Sequence, residues 1–365
     1  MPRKRTAPHW SKSLFSVMRS VGKTQTRTAI KSARKTLHKL AVKPKAPRGS
    51  GAWTSGVALG PAGARRYQLL TPPGVRASQQ LPLIVMLHGC GQDANAFALS
   101  TRMNALAVRE RFMVLYPEQD RLANLQGCWN WYDTDSRRAF REAATILAAI
   151  DQVGLLRRVD PARIAVAGLS AGASMAALLA SRYPTRFRAV AMHSGIPPGT
   201  AHSPISALRA MHGRAATAAP EAATPWPPLL VIHGSADRVV APSNGEAAAQ
   251  LWAEAAGARR TASRVVQRGQ RRAMTLTDFK CRGKTAVTLC SVAGLGHAWS
   301  GGATGQPFSD ASGPDASAMI WSFASRQFKA CEATSLERTA INTNPSGLSD
   351  GGAGGLRHHL EIRRK

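Results

Sequence analysis

The chain has 365 residues, 44% of them hydrophobic, and a formal net charge of +29. No run approaches the roughly 20 apolar residues of a membrane-spanning helix. No Cys-x-x-Cys or His-x-x-x-His pair offers zinc spacing, so no metal site is expected. The charge is unevenly spread: seventeen of the forty-nine Lys and Arg, and no Asp or Glu, precede Asp93. Within this leader, assigned to residues 1–60, Leu14, Met18, Val21, Ile30, Ala33, Leu37 and Leu40 recur every three or four residues among the bases, apart from one longer gap. The pattern fits a basic amphipathic helix on an anionic surface, engaged through residues 1–48, or equally a solvated basic tail. No aromatic platform accompanies the charge, so specific nucleic-acid recognition is not expected. Lys or Arg interrupts every apolar stretch of the leader, so no secretory signal is read there.

Beyond the leader, strand-like and helix-like segments alternate. Strands are expected at 67–70, 83–87, 112–116, 163–167, 189–193, 229–233 and 288–293. A helix is expected over 138–156, with Ala143, Leu147, Ile150 and Val153 on one face, and another over 245–256. The strand at 83–87 empties into His88-Gly89-Cys90-Gly91. The strand at 163–167 runs into Gly168-Leu169-Ser170-Ala171-Gly172 and then an apolar helix from Ala173. A serine on so sharp a strand-to-helix turn is pushed outward beside free helix amides. The strand at 229–233 is followed by Asp237, and that at 288–293 by Gly294-Leu295-Gly296-His297. Cys281 and Cys290 flank a short turn at Arg282-Gly283-Lys284 in an apparent hairpin, close enough to bridge. Cys331 is left over, and five reduced thiols remain the alternative. After residue 332, a Gly- and Ser-rich run reads as a flexible tail, 333–365.

Alternation of this kind gives an α/β fold with a mostly parallel sheet covered on both faces by helices. The order Ser170, Asp237, His297 is that of an α/β-hydrolase triad: nucleophile, orienting acid and base. The amides of Cys90 and Ala171 are the expected oxyanion donors. His88 is expected to pack and hydrogen-bond beneath its loop. Glu118 and Asp120 precede the nucleophile, which leaves the acid's role to Asp237, while Asp133 and Asp135 are read as loop solvation. Trp299 and Trp129 (or Trp131) are candidates for a flat pocket wall, with core packing as the alternative. The region 199–228 stands where such hydrolases often carry a cap, and reads as a small lid or a long loop. No cofactor is needed.

Five motifs together resemble the polyhydroxybutyrate-depolymerase family of esterases, a branch of the α/β-hydrolase superfamily. They are His88-Gly89-Cys90-Gly91-Gln92, Tyr116-Pro117-Glu118-Gln119, Cys128-Trp129-Asn130-Trp131, Gly168-Leu169-Ser170-Ala171-Gly172 and Gly296-His297-Ala298-Trp299-Ser300-Gly301-Gly302. The resemblance spans about 69–328, within a catalytic domain assigned to 61–332. It implies serine-esterase chemistry on a hydroxyalkanoate ester or polyester, with feruloyl and acetylxylan esters as neighbouring substrates. A platform that binds a membrane or the coat of a polyester granule is the rival from another class. The resemblance also implies a Cys90–Cys128 bridge and suggests an extracellular setting, against a cytoplasmic, granule-associated alternative.

Overall fold

The computed structural model describes residues 51–76, 78–214 and 225–342, with side chains through residue 330. The leader's helical pattern and the stretch 343–365 lie outside the described residues. Eleven strands form one sheet: β1 (Ala52–Gly60), β2 (Gly63–Thr71), β3 (Leu81–Leu87), β4 (Met113–Pro117), β5 (Val159–Leu169), β6 (Ala189–His193), β7 (Leu229–Gly234), β8 (Arg259–Arg260), β9 (Arg264–Val266), β10 (Met274–Cys281) and β11 (Lys284–Val292). The order is β1-β2-β4-β3-β5-β6-β7-β11-β10-β8, with β9 also on β10. From β4 through β11 neighbours are parallel, while β1, β2, β8, β9 and β10 pair antiparallel at the two edges. This is the expected α/β-hydrolase sheet.

The central strands are buried on both faces, which is why they read as unbroken apolar runs: every residue of β3, β6 and β7 is buried. Seven helices are described: α1 (Ala94–Thr101), α2 (Met103–Glu110), α3 (Arg138–Leu156), α4 (Ala171–Arg182), α5 (Pro204–Met211), α6 (Ser243–Ala255) and α7 (Ala316–Asn342). Two apolar cores sandwich the sheet, one beneath α3, α4 and α6 and the other beneath α1, α2 and α7. On α3 the face carrying Ala143, Leu147, Ile150 and Val153 is buried, as its spacing requires.

Two boundaries move. The strand β1 lies inside the stretch assigned to the leader. It is an edge strand with only Ala58 buried, so its sequence shows no apolar alternation. At the other end, α7 runs to Asn342, past the boundary drawn at 332. The region 199–228 contains the helix α5, started by a Ser203 capping box, while 215–224 lies outside the described residues.

Candidate active site

Ser170 sits on the turn between β5 and α4 with φ 56° and ψ −121°, a conformation that residues with a Cβ rarely adopt. Its N–H donates to His193 O at 2.9 Å, which ties the turn to the end of β6. The flanking glycines are steric necessities. A Cβ on Gly168 would lie 2.3 Å from the Gly172 backbone, and one on Gly172 would lie 2.1 Å from Leu87 O. The spacing G-x-S-x-G therefore lets α4 start directly against the end of β3.

The loop after β3 faces the same helix start. Gly91, at φ 77°, turns the chain and its N–H donates to Gln126 O at 2.9 Å. Gln92 Oε1 accepts from Gly89 N at 3.0 Å. A Cys90–Cys128 disulfide joins this loop to 119–132. No acceptor among the described residues takes the N–H of Cys90, and that of Ala171 opens the first turn of α4, where helical acceptors are missing.

His88 is buried, and burial lowers its pKa to about 4. Its Nε2 accepts from Gln119 N at 3.1 Å, leaving Nδ1–H to donate to Gly89 O at 2.9 Å. The ring thus packs beneath the loop. Below it, buried Glu142 accepts from Gln119 Nε2 at 2.8 Å, Asn130 N at 3.0 Å and Asn130 Nδ2 at 2.6 Å. Arg65 Nη1 reaches Gln119 Oε1. Two charges buried in β2 and α3 hold the loop 119–132 in place.

On the opposite side, His297 Nδ1 lies 2.8 Å from Asp237 Oδ2. A carboxylate partner fixes the proton on Nδ1 and leaves Nε2 as a lone-pair base. Asp237 Oδ1 accepts from Val239 N and Val240 N, each at 2.9 Å. Burial opposes ionisation of Asp237, but hydrogen bonds from His233 and His297 win and hold the carboxyl well below the usual range. Ser170 and His297 border one cavity of about 260 Å³. No hydrogen bond among the described residues joins them, and serine–imidazole bonds of this type often tighten only when substrate is bound.

The cavity is mostly apolar. Trp131, Tyr132, Ile196 and Val240 line it, and α5 contributes Ala207 and Met211. The floor beside Ser170 is formed by Gly89, Cys90 and Ala171.

The sequence profile of the family described as Esterase PHB depolymerase matches residues 65–273, more than half of the chain. The chain belongs to this family. Among curated relatives, the poly(3-hydroxyalkanoate) depolymerase C of Paucimonas lemoignei is 36% identical over 185 residues, covering 47% of this chain and 44% of that protein. The feruloyl esterase B of Thermothelomyces thermophilus is 26% identical, over 48% of this chain and 66% of its own length. For the poly(3-hydroxybutyrate) depolymerase of Ralstonia pickettii the figures are 26%, 65% and 51%. The chain thus spans about half to two thirds of the length of these relatives. The solved structure of an acetyl xylan esterase from Aspergillus awamori superimposes with a TM-score of 0.55, at 19% identity over 68% of this chain and 94% of that one. At that identity the shared property is the fold.

Set against the PHB-depolymerase motifs, two sequence expectations need correction. Trp299 is no pocket wall: it is fully buried in the core beneath α7, stacked on His193 at 5.1 Å and edge-on to Phe97 at 5.4 Å. Trp129 and Trp131 do border the cavity, but Trp129 is fully covered and donates from Nε1 to His88 O at 3.1 Å, so Trp131 offers the more open face. Cys281 and Cys290 are free thiols. The hairpin exists, but Cys281 pairs with Lys284 beside the turn, whereas Cys290 stands six positions farther along β11, opposite Leu276. At about 3.4 Å per strand residue that separation defeats a bridge. Burial pushes the Cys290 thiol up to about 12. The side chain of Cys331 lies outside the described residues.

Sequence reasoning missed two histidines. His233 is buried, and its Nε2 donates to Val240 O at 3.1 Å and approaches Asp237 Oδ2 at 3.5 Å. Its Nδ1 has no hydrogen-bond partner among the described residues. It is the penultimate residue of β7, four positions before Asp237, and that proximity was its signal in the sequence. His193, lowered by burial to about 3, accepts from Ser300 N at 3.0 Å and lies behind both the serine turn and Trp299.

Proposed function

We propose that this chain is a serine esterase that hydrolyses carboxylic esters through an acyl-enzyme on Ser170. The observation that carries the reading is the 2.8 Å His297–Asp237 bond at the edge of the cavity onto which the strained Ser170 turn opens. His297 Nε2 takes the Ser170 proton as Oγ attacks the ester carbonyl. The alkoxide is held by the amides of Cys90 and Ala171, each worth about 3–4 kcal/mol in sites of this kind. The imidazolium then protonates the leaving alcohol, and water activated by the same ring releases the acid.

Poly- or oligo(3-hydroxybutyrate)-type esters are the favoured substrates. A small apolar cavity suits short aliphatic hydroxyacyl groups, and Leu122, Leu125 and Ile205 stand exposed on segments that border it, as adsorption to a water-insoluble polyester would require. The depolymerases among the relatives support this choice, and the feruloyl and acetylxylan esterases supply the second reading. Ser170→Ala should lower turnover of p-nitrophenyl butyrate by about three or more orders of magnitude with an unchanged fold. Retained activity refutes the mechanism, while faster turnover of methyl ferulate or acetylated xylan than of hydroxybutyrate oligomers refutes the substrate choice. The Cys90–Cys128 bridge supports an oxidising, extracellular compartment. The acid-free leader supports attachment to an anionic granule or membrane surface. Deleting residues 1–48 should abolish sedimentation with granules and leave soluble-ester turnover intact.

A further inference from the structure

A second concavity, about 1060 Å³, lies between α7 and the strands β9, β10 and β11, and shares no lining residue with the catalytic cavity. Its floor is apolar: Leu230, Met274 and Phe323 are buried there, with Leu276 and Met319 half-buried beside them. Its rim is cationic. Arg264, Arg268, Arg271, Arg272, Lys284 and Arg326 surround it, against the two carboxylates Asp278 and Asp315.

The cations are not all consumed by the fold. Arg264 pairs with Asp278 at 2.8 Å, and Arg272 with Asp310 at 3.0 Å. Among the described residues Arg271 donates only to the Gly313 carbonyl and Arg326 only to the Ser322 hydroxyl, each at 2.8 Å, with the Arg326 guanidinium also 5.9 Å from the Phe323 ring centroid. The exposed side chains of Arg268 and Lys284 have no partner among the described residues. An apolar trough with surplus positive charge on its rim stabilises a ligand that is apolar along its length and anionic at its head. Charge also argues against the chain's own leader as occupant, since residues 1–50 hold fourteen Lys and Arg and no acid.

We propose that this groove binds a single-chain amphiphile with a carboxylate headgroup, a long-chain fatty acid anion, its alkyl chain on the Leu230–Met274–Phe323 floor and its head on the rim cations. The site stands apart from the esterase reading and survives or falls separately. The test is calorimetric titration of the full chain with dodecanoate below its micelle threshold, beside dodecan-1-ol and dodecyltrimethylammonium. Dodecanoate alone should bind. Its affinity should fall about tenfold or more in Arg268→Glu/Lys284→Glu, which reverses two unpartnered charges. Ala318→Phe, which fills the groove from α7, should weaken binding without touching the rim. Both variants should keep wild-type hydrolysis of p-nitrophenyl butyrate. Unchanged affinity in both variants, equal binding of the neutral alcohol, or binding only to vesicles containing anionic lipid overturns the proposal.

Discussion

The two concavities differ in where they put charge. The cavity beside Ser170 encloses about 260 Å³ and is walled largely by aromatic and aliphatic side chains, with His297 at its edge. The groove beneath α7 is larger, about 1060 Å³, and is ringed by six cations. An ester is neutral, and long-range charge gains nothing in binding it. What its hydrolysis needs is a few dipoles aimed at the oxygen that becomes negative.

That separation is sharpened first at the acid. Asp237→Asn keeps the size of the side chain but removes the acceptor that fixes the His297 tautomer. It should lower kcat by about 10⁴-fold with the fold and the groove unaltered, read by steady-state kinetics and circular dichroism. A loss under tenfold would take the orienting role from Asp237.

His233 should give a smaller effect. As a positioning residue it acts only through Asp237, so His233→Phe should reduce kcat about ten- to a hundredfold with little change in KM. An aspartate that has lost a donor holds the His297 imidazolium more strongly, so the acid limb of kcat/KM should move to higher pH. An unmoved limb would mean that His233 merely fills space.

Acid provides the mildest probe. Burial holds His88 at about 4 and His193 at about 3, whereas unfolded histidine takes its proton near 6.5. Across that window the unfolded chain binds more protons than the folded one, so stability rises with pH and drains away as acid is added. Each ring contributes at most about 1.4 kcal/mol per pH unit. Asp237, with its pKa depressed, stays ionised throughout, and its contribution begins to drain only below the unfolded carboxylate value of about 4. Tm should thus fall steadily from pH 6.5 to 4, and a flat Tm would contradict the burial of these rings as neutral bases.

What the sequence disclosed follows the same physics. Strands buried on both faces, such as β3 and β7, announce themselves as apolar runs, and the serine turn announces itself because sterics dictate its glycines. The Asp237–His297 contact was legible from strand ends and chain order. Residues whose role rests on buried side-chain partners, rather than on a strand end or a turn, were not. Glu142 looks like any helix glutamate until Asn130 and Gln119 are seen around it. Trp299 stands two places from His297 yet points into the opposite core, because the loop reverses between them. The edge strand β1, half solvated, carries no pattern to read. Strand register, which placed Cys290 away from Cys281, is fixed by the bulge between Phe279 and Lys280 as well as by the turn.

The contact between Gly172 and the Leu87 carbonyl has one more consequence. Because main chain meets main chain there, the amides proposed to receive the oxyanion keep their mutual spacing whatever side chains surround them. The exposed side chains at the mouth, such as Leu122, Leu125 and Ile205, can change without disturbing that spacing. One receptor can thereby be refitted across evolution to new acyl groups by changing only its vestibule.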